Sequence, residues 1–347
     1  MEKRIKKRVL AIRFSAMGDV AMTSPVIKTV LEANPDLEID FLTRPFFRSF
    51  FEENERLGFP EVDLKKRHKG ILGLRRLYRD LRSNSYDTVI DLHDSLRSKV
   101  LRTFFSIGGV PVCVVDKGRK EKKRLLKRGA ANSQPLMHTT QRYANVFRDA
   151  GLSLTQGPLA LPRLGDSSQR VSKFLSEGHQ QSWVGIAPFA AHPSKEWPLH
   201  RVSLLAEKLR SEGWTPLWFG AGGREISLLK LHLYQPEKDH LIAGSFKLSE
   251  ELEIMKKLRA MICMDSANMH MAAISGVPVI SIWGPTHPAA GFGPLNNEEG
   301  VVQADLPCRP CTIYGKIKSS KGYLCAEKSM QMIEVSHVME KVNRLNR

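Results

Sequence analysis

Acidic and basic side chains follow apolar runs at several points of this 347-residue sequence. Asp265 and His270 come directly after the apolar residues 261–264. A carboxylate can take a proton or accept a hydrogen bond from a hydroxyl group, and a histidine can donate to an anion near neutral pH. A capping aspartate and a buried, hydrogen-bonded histidine would explain the same spacing without any chemistry. The two residues therefore mark a candidate site whose chemistry needs further evidence.

A strand, a short helix and a second strand are predicted around these residues. The apolar residues 261–264 and 277–283 predict buried strands, and Asp265-Ser266 predicts the N-cap of a helix over 267–274. The connection has almost no spare loop, so we expect the two strands to be parallel. Ligands of open α/β sheets bind where a strand leads into the next helix, and free N–H groups there suit a phosphate.

A second carboxylate, Asp19, follows the first apolar run of the chain. Residues 9–14 predict a strand and residues 21–33 a helix, with Gly18 in the turn between them. Asp19 therefore falls at a helix N-terminus, where the helix dipole favours a carboxylate. Capping of this helix is the structural alternative to a chemical role.

Strands and helices alternate along the whole chain, which predicts an α/β protein with parallel sheets. Residues 156–168 contain two prolines, two glycines and no helical period, and we interpret them as a linker. We predict a Rossmann-like N-terminal domain over 1–160, a second Rossmann-like domain over 161–328 and a final helix within 329–347. Neither half contains the G-x-G-x-x-G dinucleotide motif.

Two motifs of this sequence resemble glycosyltransferase family 9, the ADP-heptose:lipopolysaccharide heptosyltransferases. Residues 265–288, D-S-A-N-M-H-M-A-A-I-S-G-V-P-V-I-S-I-W-G-P-T-H-P, resemble the donor-binding signature of that family. Residues 15–20, S-A-M-G-D-V, are similar to its N-terminal motif. Ala267 replaces the usual glycine, and its methyl group limits how closely the backbone can approach a donor phosphate. The resemblance extends from Ser15 to about Pro294.

The resemblance implies a role for several residues. Asp19 matches the proposed catalytic base of the family. Lys195 lies in the family's Lys-x-Trp-Pro motif, and Glu225 follows a glycine-rich turn, where a carboxylate can accept bonds from ribose hydroxyls. Without the resemblance, both side chains would be expected in solvent. The implied donor site comprises Lys195, Glu225, Asp265, Ser266, Ala267 and His270, and the implied acceptor site comprises Arg97, Ser98 and Lys99.

The same resemblance implies the GT-B fold, with two facing domains, a deep cleft and a terminal helix that crosses back to the first domain. It implies an inverting transfer of heptose from a nucleotide-diphosphate sugar, ADP-heptose, to the inner core of lipopolysaccharide. Lys195 and the N–H groups of Ser266 and Ala267 would carry the charge of the leaving group, so we expect neither a metal nor another cofactor.

Composition limits the partners of the protein. The formal net charge of +17 favours anionic partners such as nucleic acid, an acidic membrane face or a phosphorylated substrate. No apolar run is long enough to predict a transmembrane helix, and the basic residues 1–8 lack a following signal-peptide core. The five cysteines do not form a disulfide framework. We therefore expect a cytoplasmic protein, and the resemblance adds peripheral contact with the cytoplasmic face of the inner membrane.

Three other segments have alternative interpretations. The basic run 117–128 is either a solvated, mobile segment or a polyanion-binding loop, and the phenylalanines of a predicted helix over 45–57 either pack in the core or meet a lipid chain. Cys308, Cys311 and Cys325 form a reduced cluster, or a zinc site if His337 or Cys113 supplies a fourth ligand.

Two alternatives to a transferase stay open at this point. A sugar-nucleotide epimerase or hydrolase of the same fold would need no lipid acceptor. A nucleic-acid-binding protein would explain the charge, but its basic runs lack interleaved aromatic residues, and we rank it last.

Overall fold

The computed structural model describes residues 7–154, 157–164, 168–177, 182–317 and 320–345. They form two compact units. The first unit contains the described residues of Met1–Lys117 and Thr139–Arg163, and the second those of Gly118–His138 and Leu164–Arg347. The basic residues 1–6 of the N-terminus lie outside the described ranges.

The first unit is built on a five-stranded parallel sheet. The strands are β1 (Lys7–Ile12), β2 (Leu37–Leu42), β3 (Leu57–Gly58), β4 (Thr88–Asp91) and β5 (Val112–Val114). Their order in the sheet is β3-β2-β1-β4-β5. Apolar residues of β1 and β4 form its buried centre, as their continuous apolar runs predict. The helices are α1 (Met17–Ala21), α2 (Ser24–Ala33), α3 (Gly70–Arg82), α4 (Leu96–Ile107) and α6 (Thr139–Asp149).

The second unit has a six-stranded parallel sheet. Its strands are β6 (Trp183–Ala187), β7 (Thr215–Trp218), β8 (His240–Leu241), β9 (Ala260–Met264), β10 (Val279–Trp283) and β11 (Val301–Gln303). Their order in the sheet is β11-β10-β9-β6-β7-β8. Its helices are α5 (Arg119–Arg128), α7 (Gln169–Glu177), α8 (Leu199–Ser211), α9 (Gly222–His232), α10 (Leu248–Met255), α11 (Ala267–Ile274), α12 (Ser320–Gln331) and α13 (Val335–Arg344). The parallel pairing of β9 with β10 confirms the strand–helix–strand prediction.

The predicted helix over 45–57 is wrong. A 3₁₀ turn covers Pro45–Phe50, and the chain is extended at Phe51 before it forms β3. Phe47, Phe50 and Phe51 are buried, because the turn directs them onto the sheet, while Phe46 is exposed. Packing, the first of the two interpretations of this aromatic stripe, therefore applies to three of its four members.

The basic run is a helix and not a loop. Helix α5 begins after Gly118, whose φ of 59° is in the left-handed region, and ends at Gly129. Lys, Arg and Leu are good helix formers, and buried Leu125 ties the helix to the second unit. The high density of positive charge therefore did not prevent this segment from forming a helix.

The predicted final helix is interrupted. Helix α12 ends at Gln331 and α13 begins at Val335. Between them Ile333 is fully buried, and its carbonyl oxygen accepts hydrogen bonds from Trp197 Nε1 at 3.0 Å and Arg201 Nη1 at 2.9 Å. Helix α13 contacts α8 and β10 of the second unit. A crossing to the first domain stays a prediction.

The predicted linker lacks helix and strand over 157–164, and its residues 156 and 165–167 lie outside the described ranges. The boundary between the units, Arg163 to Leu164, falls inside it. Residues 118–138 join the second unit although the first unit surrounds them in sequence. The domain limits 1–160, 161–328 and 329–347 remain predictions. Within the part of the chain described, no helix has both the length and the apolar character needed to cross a bilayer.

Candidate functional site

Each sheet has a point at which its winding reverses. The reversal lies between β1 and β4 in the first sheet and between β6 and β9 in the second. Loops that follow two such strands diverge, which opens a crevice at the carboxyl ends of the strands, where ligands of α/β proteins bind. Asp19 follows β1, Lys195 follows β6 and Asp265 follows β9. The topology thus places all three predicted residues at reversal points.

Lys195 and Asp265 form an ion pair at the reversal point of the second sheet. Lys195 Nζ lies 3.2 Å from Asp265 Oδ2, and the two residues are only 9% and 8% exposed. The expectation that Lys195 would be solvent-exposed without the resemblance is therefore wrong. The pair lies directly before α11, so an anionic ligand at this point would meet the ammonium group and the helix N-terminus, while Asp265 offsets part of the charge of Lys195.

The burial of Lys195 comes from a loop near the C-terminus. A Cβ atom on Gly315 would lie 2.9 Å from Lys195 Cδ and 3.0 Å from His192 Cβ, so only glycine permits this close packing. Ser194 Oγ donates a 2.6 Å hydrogen bond to the carbonyl oxygen of Gly315 and fastens the loop. No local sequence signal connects Gly315 with Lys195.

The predicted helix over 267–274 is present, and of the predicted N-cap pair Asp265-Ser266 it is Ser266 that occupies the N-cap position of α11. Asp265 does not cap this helix, and the side chain of Ser266 makes no capping hydrogen bond. Instead the hydroxyl groups of Ser266 and Thr286 are buried and have no hydrogen-bond partner among the described residues. Ser266 follows β9 and Thr286 follows the neighbouring strand β10. Two such unsatisfied hydroxyl groups at the carboxyl ends of neighbouring strands suit a polar ligand, because leaving each of them unpaired costs about 1–3 kcal/mol.

The other predicted donor residues lie in the same unit. Ala267 begins α11, and His270 is buried one turn later. Glu225 is in the first turn of α9, where its carboxylate accepts a 2.8 Å hydrogen bond from the backbone N–H of Ala221. Burial, with a smaller contribution from the charge of nearby Glu196, raises the pKa of Glu225. Glu225 thus lies at the carboxyl end of β7, the strand next to β6.

Asp19 occupies the third position of α1 and pairs with an arginine that the sequence analysis did not select. Asp19 Oδ2 lies 2.6 Å from Arg13 Nη2 and accepts a 3.3 Å hydrogen bond from the backbone N–H of Ala16. Its other oxygen, Oδ1, has no partner among the described residues, and the side chain is 28% exposed. The carboxylate is therefore held by one oxygen and available at the other. Arg13, a charge at the end of an apolar strand, was the signal that could have identified this pair.

His93, a further residue that sequence reasoning missed, follows β4 at the same reversal point. Its Nδ1 lies 3.4 Å from the backbone nitrogen of Phe14 and 3.2 Å from Ser95 Oγ. Burial, followed by the charges of Arg13 and Lys117, lowers the pKa of His93 to about 4. The imidazole is therefore neutral at physiological pH.

The predicted acceptor residues differ in their surroundings. Arg97 and Lys99 are exposed at the start of α4, and Lys99 Nζ lies 3.6 Å from Asp94 Oδ1. Ser98 is fully buried, and its hydroxyl accepts a 2.9 Å hydrogen bond from the backbone N–H of Ser95. Ser98 therefore stabilises the helix N-terminus rather than presenting its hydroxyl to solvent.

Comparison with known proteins agrees with this arrangement. The family model described as glycosyltransferase family 9 (heptosyltransferase) matches residues 74–321. The chain belongs to glycosyltransferase family 9. It is therefore a glycosyltransferase, and the alternatives of an epimerase or a hydrolase are set aside.

Individual relatives of this family 9 enzyme align over nearly its whole length. Lipopolysaccharide heptosyltransferase 2 of Escherichia coli K12 is 25% identical over 360 residues, covering 97% of this chain and 98% of the relative. The solved structure of a family 9 glycosyl transferase from Veillonella parvula has a TM-score of 0.74 at 20% identity, covering 98% and 97% of the two chains. An E. coli heptosyltransferase solved with ADP-2-deoxy-2-fluoro heptose has a TM-score of 0.67 at 16% identity and covers 97% and 99%. These neighbours confirm the GT-B fold class.

The family 9 enzyme has a further basic feature in its second unit. A cavity of about 450 Å³ lies beside α5 and is bordered by Arg124, Arg128 and Ser133. Lys122 Nζ lies 4.3 Å from the ring centre of Phe292 and 5.6 Å from that of Tyr314. Polyanion binding by this segment remains a prediction.

The cysteines are all free thiols. Cys311 Sγ and Cys325 Sγ lie 3.6 Å apart, and Cys308 is exposed. Among the residues that the structure describes, no group of three or more His, Cys, Asp or Glu side chains is placed to hold a metal ion. The zinc alternative therefore gains no support from the structure.

Proposed function

We propose that this enzyme transfers a heptose from ADP-heptose to the inner core of lipopolysaccharide with inversion at the anomeric carbon. The observation that carries the proposal is the buried Lys195–Asp265 pair beside the unsatisfied hydroxyl groups of Ser266 and Thr286. The carboxyl end of the second sheet thus offers a cation, hydroxyl groups and helix N–H groups, and these groups match the chemistry of a sugar diphosphate.

The donor would be held by the second unit. Lys195 and the N–H groups of Ser266 and Ala267 would bind the diphosphate and stabilise the negative charge that develops on it as the sugar leaves. Asp265, as an anion, would accept a hydrogen bond from a sugar hydroxyl while it orients Lys195. His270 would donate to the diphosphate and Glu225 would accept bonds from the ribose hydroxyls. The E. coli relative solved with an ADP-heptose analogue supports this choice of nucleotide and sugar.

The base would come from the first unit. Arg13 and the N–H of Ala16 hold Asp19 Oδ2, which leaves Oδ1 to accept the proton of the acceptor hydroxyl. The acceptor oxygen then attacks the anomeric carbon as the bond to the diphosphate breaks, so that one displacement inverts the configuration. His93 lies beside the loop that follows β1, where it could donate or accept a hydrogen bond. Because its imidazole is neutral, it adds no charge to the site.

The acceptor would be anionic, because a lipopolysaccharide core carries phosphate and carboxylate groups. Arg97 and Lys99 are exposed and would pair with these groups. Because the acceptor is anchored in a bilayer, we propose that the enzyme works in peripheral contact with the cytoplasmic face of the inner membrane. Nucleic acid is not among the proposed partners.

Nucleotide-dependent stabilisation tests the donor site. We expect ADP at 100 times its Kd to stabilise the protein by about 2.7 kcal/mol, and UDP or GDP at the same concentration by less. Lys195→Ala should remove most of this effect. Lys208→Ala is a suitable control, because Lys208 is an exposed lysine on α8 of the same unit, paired with Glu212. Equal stabilisation by all three nucleotides would contradict the choice of ADP, and stabilisation by none would contradict the donor site.

Product analysis tests the reaction. We expect ADP-heptose and a heptose-deficient core acceptor to give ADP and the heptosylated core. Release of free heptose at the same rate with and without acceptor would refute the proposed transfer.

A further inference from the structure

Helix α3 of the first unit exposes two large aliphatic side chains. Ile71 and Leu72 are 67% and 78% exposed, whereas Leu74, Leu77 and Leu81 on the opposite face are buried. The buried face already anchors the helix to the sheet, so Ile71 and Leu72 contribute nothing to this packing. Two adjacent exposed aliphatic residues at one end of an amphipathic helix suggest contact with an apolar phase.

Cationic side chains surround these two residues. Between residues 65 and 82 there are eight basic residues and a single acid, Asp80, which pairs with Arg67 at 2.7 Å. All eight basic residues are exposed: Lys65, Lys66, Arg67, Lys69, Arg75, Arg76, Arg79 and Arg82. Residues three and four apart share a helix face, so Ile71 lies in line with Arg75 and Arg79, and Leu72 with Arg76. The two aliphatic side chains and the surrounding cations are therefore exposed to solvent on the same part of the surface.

We propose that the segment 65–82 docks the enzyme on an anionic phospholipid bilayer, with Ile71 and Leu72 inserted at the level of the headgroups and the surrounding cations on lipid phosphates. The inference deepens the membrane contact in the proposed function by assigning it to a surface. A protein partner would be expected to cover a wider apolar area, and nucleic acid would gain nothing from two exposed aliphatic side chains. Clusters of four to eight Lys or Arg residues on an amphipathic helix are typical of anionic-lipid binding.

The expected size of the effect follows from the two components. Each basic residue near an anionic surface strengthens binding about five-fold at low ionic strength, so removal of three should weaken it about 100-fold. Insertion of an aliphatic side chain is worth roughly another ten-fold for each residue. Salt screens the first component and leaves the second largely intact.

Sedimentation of the full chain with lipid vesicles tests the proposal. We expect binding to phosphatidylcholine vesicles that contain phosphatidylglycerol and little binding to phosphatidylcholine alone. The double variant Ile71→Ser/Leu72→Ser and the triple variant with Arg75, Arg76 and Arg79 changed to Gln should each lose at least ten-fold. Because these side chains are exposed, the melting temperature of each variant should stay within a few degrees of the parent.

Matched controls separate the surface from general charge and general hydrophobicity. Leu231→Ser removes an aliphatic side chain that is 75% exposed on α9, and changing Lys230, Lys238 and Lys257 to Gln removes three exposed cations from the second unit. Both variants should bind vesicles within about two-fold of the parent. An equal loss in this triple lysine variant, or parent-like binding by the α3 variants, would overturn the proposal.

Activity on a deacylated core oligosaccharide distinguishes a membrane surface from part of the acceptor site. The Ile71→Ser/Leu72→Ser variant should keep the parent rate on this soluble acceptor, and a ten-fold loss would assign the segment to acceptor binding instead and overturn the inference. Failure of the parent to transfer heptose would refute the proposed function, but vesicle binding would still test the docking surface independently.

Discussion

Replacing Asp19 by asparagine separates a catalytic carboxylate from a structural one. Asparagine has the same shape and caps a helix about as well as aspartate, so its oxygen can still accept the N–H of Ala16. The change removes the negative charge and the ability to take a proton. If Asp19 serves only the start of α1, the consequences should be confined to stability.

The structure sets the size of the stability effect. Arg13 is 7% exposed at its side chain and loses its partner at 2.6 Å, although it keeps a 2.5 Å hydrogen bond to the carbonyl oxygen of Leu92 and lies over the ring of Tyr143. Removing one partner of a fully buried pair costs about 3–5 kcal/mol, and Asp19 is partly exposed. We therefore expect the free energy of unfolding to fall by about 1–3 kcal/mol.

The activity effect should be larger and independent of folding. A positioned base contributes about 10²–10⁴-fold to the rate, so the Asp19→Asn enzyme should transfer heptose at least about 100-fold more slowly. Its affinity for ADP should match that of the parent, because the donor residues lie in the second unit. Transfer rate per folded molecule and ADP affinity, measured side by side, give the comparison.

Asp40→Asn is the matched control in the same unit. Asp40 Oδ2 lies 2.9 Å from Arg8 Nη2 and accepts a 2.6 Å hydrogen bond from the hydroxyl of Tyr86. It lies within β2 rather than at the carboxyl end of the sheet. Asp40→Asn should lose at least as much stability as Asp19→Asn and keep the parent rate per folded molecule. If Asp19→Asn keeps more than about a tenth of the rate, the carboxylate is a helix cap and the proposed base is wrong.

Three further predictions concern metal, donor and pH. Transfer should survive EDTA, because Lys195 and helix N–H groups stabilise the leaving diphosphate. Asp265→Asn should leave ADP affinity within a few-fold of the parent but weaken ADP-heptose binding about ten-fold, since one charge-assisted hydrogen bond to the sugar is lost. The free energy of unfolding should fall as the pH drops from about 6.5 towards 4, because the pKa of His93 is lowered to about 4 in the folded state and the unfolded chain takes up the proton first. His93→Gln should reduce this fall by about 1–2 kcal/mol, less than the roughly 3 kcal/mol for full burial, since the side chain is half-buried.

Each of these has a contrary outcome. Loss of transfer in EDTA that magnesium or manganese restores would show that the diphosphate needs a metal. Equal weakening of ADP and ADP-heptose by Asp265→Asn would show that Asp265 acts only through Lys195. An unchanged pH dependence in His93→Gln would show that other buried groups, such as His138 and His287, whose pKa values are also lowered by burial, account for the acid sensitivity.

The local sequence pattern was sufficient to predict most strands of the two sheets and the order of the two family motifs along the chain. The apolar runs before Asp19 and Asp265 predicted β1 and β9, because a strand buried on both faces needs a continuous apolar sequence. The resemblance then selected Lys195 and Glu225, which lie at the carboxyl ends of neighbouring strands. Alternation of strands and helices was likewise enough to predict parallel sheets.

Long-range contacts determined what these residues do. Lys195 is buried because Asp265 and Gly315, far along the chain, pack against it, and Asp265 turns to that lysine instead of capping its own helix. Arg13 became part of the site only when α1 brought Asp19 within 2.6 Å of it. The basic residues 119–128 became helical because Leu125 found a buried position, and the last helix broke where Ile333 entered the core. Sequence periodicity reports which face of an element is apolar, whereas charge pairing and burial depend on neighbours that the chain brings together only by folding.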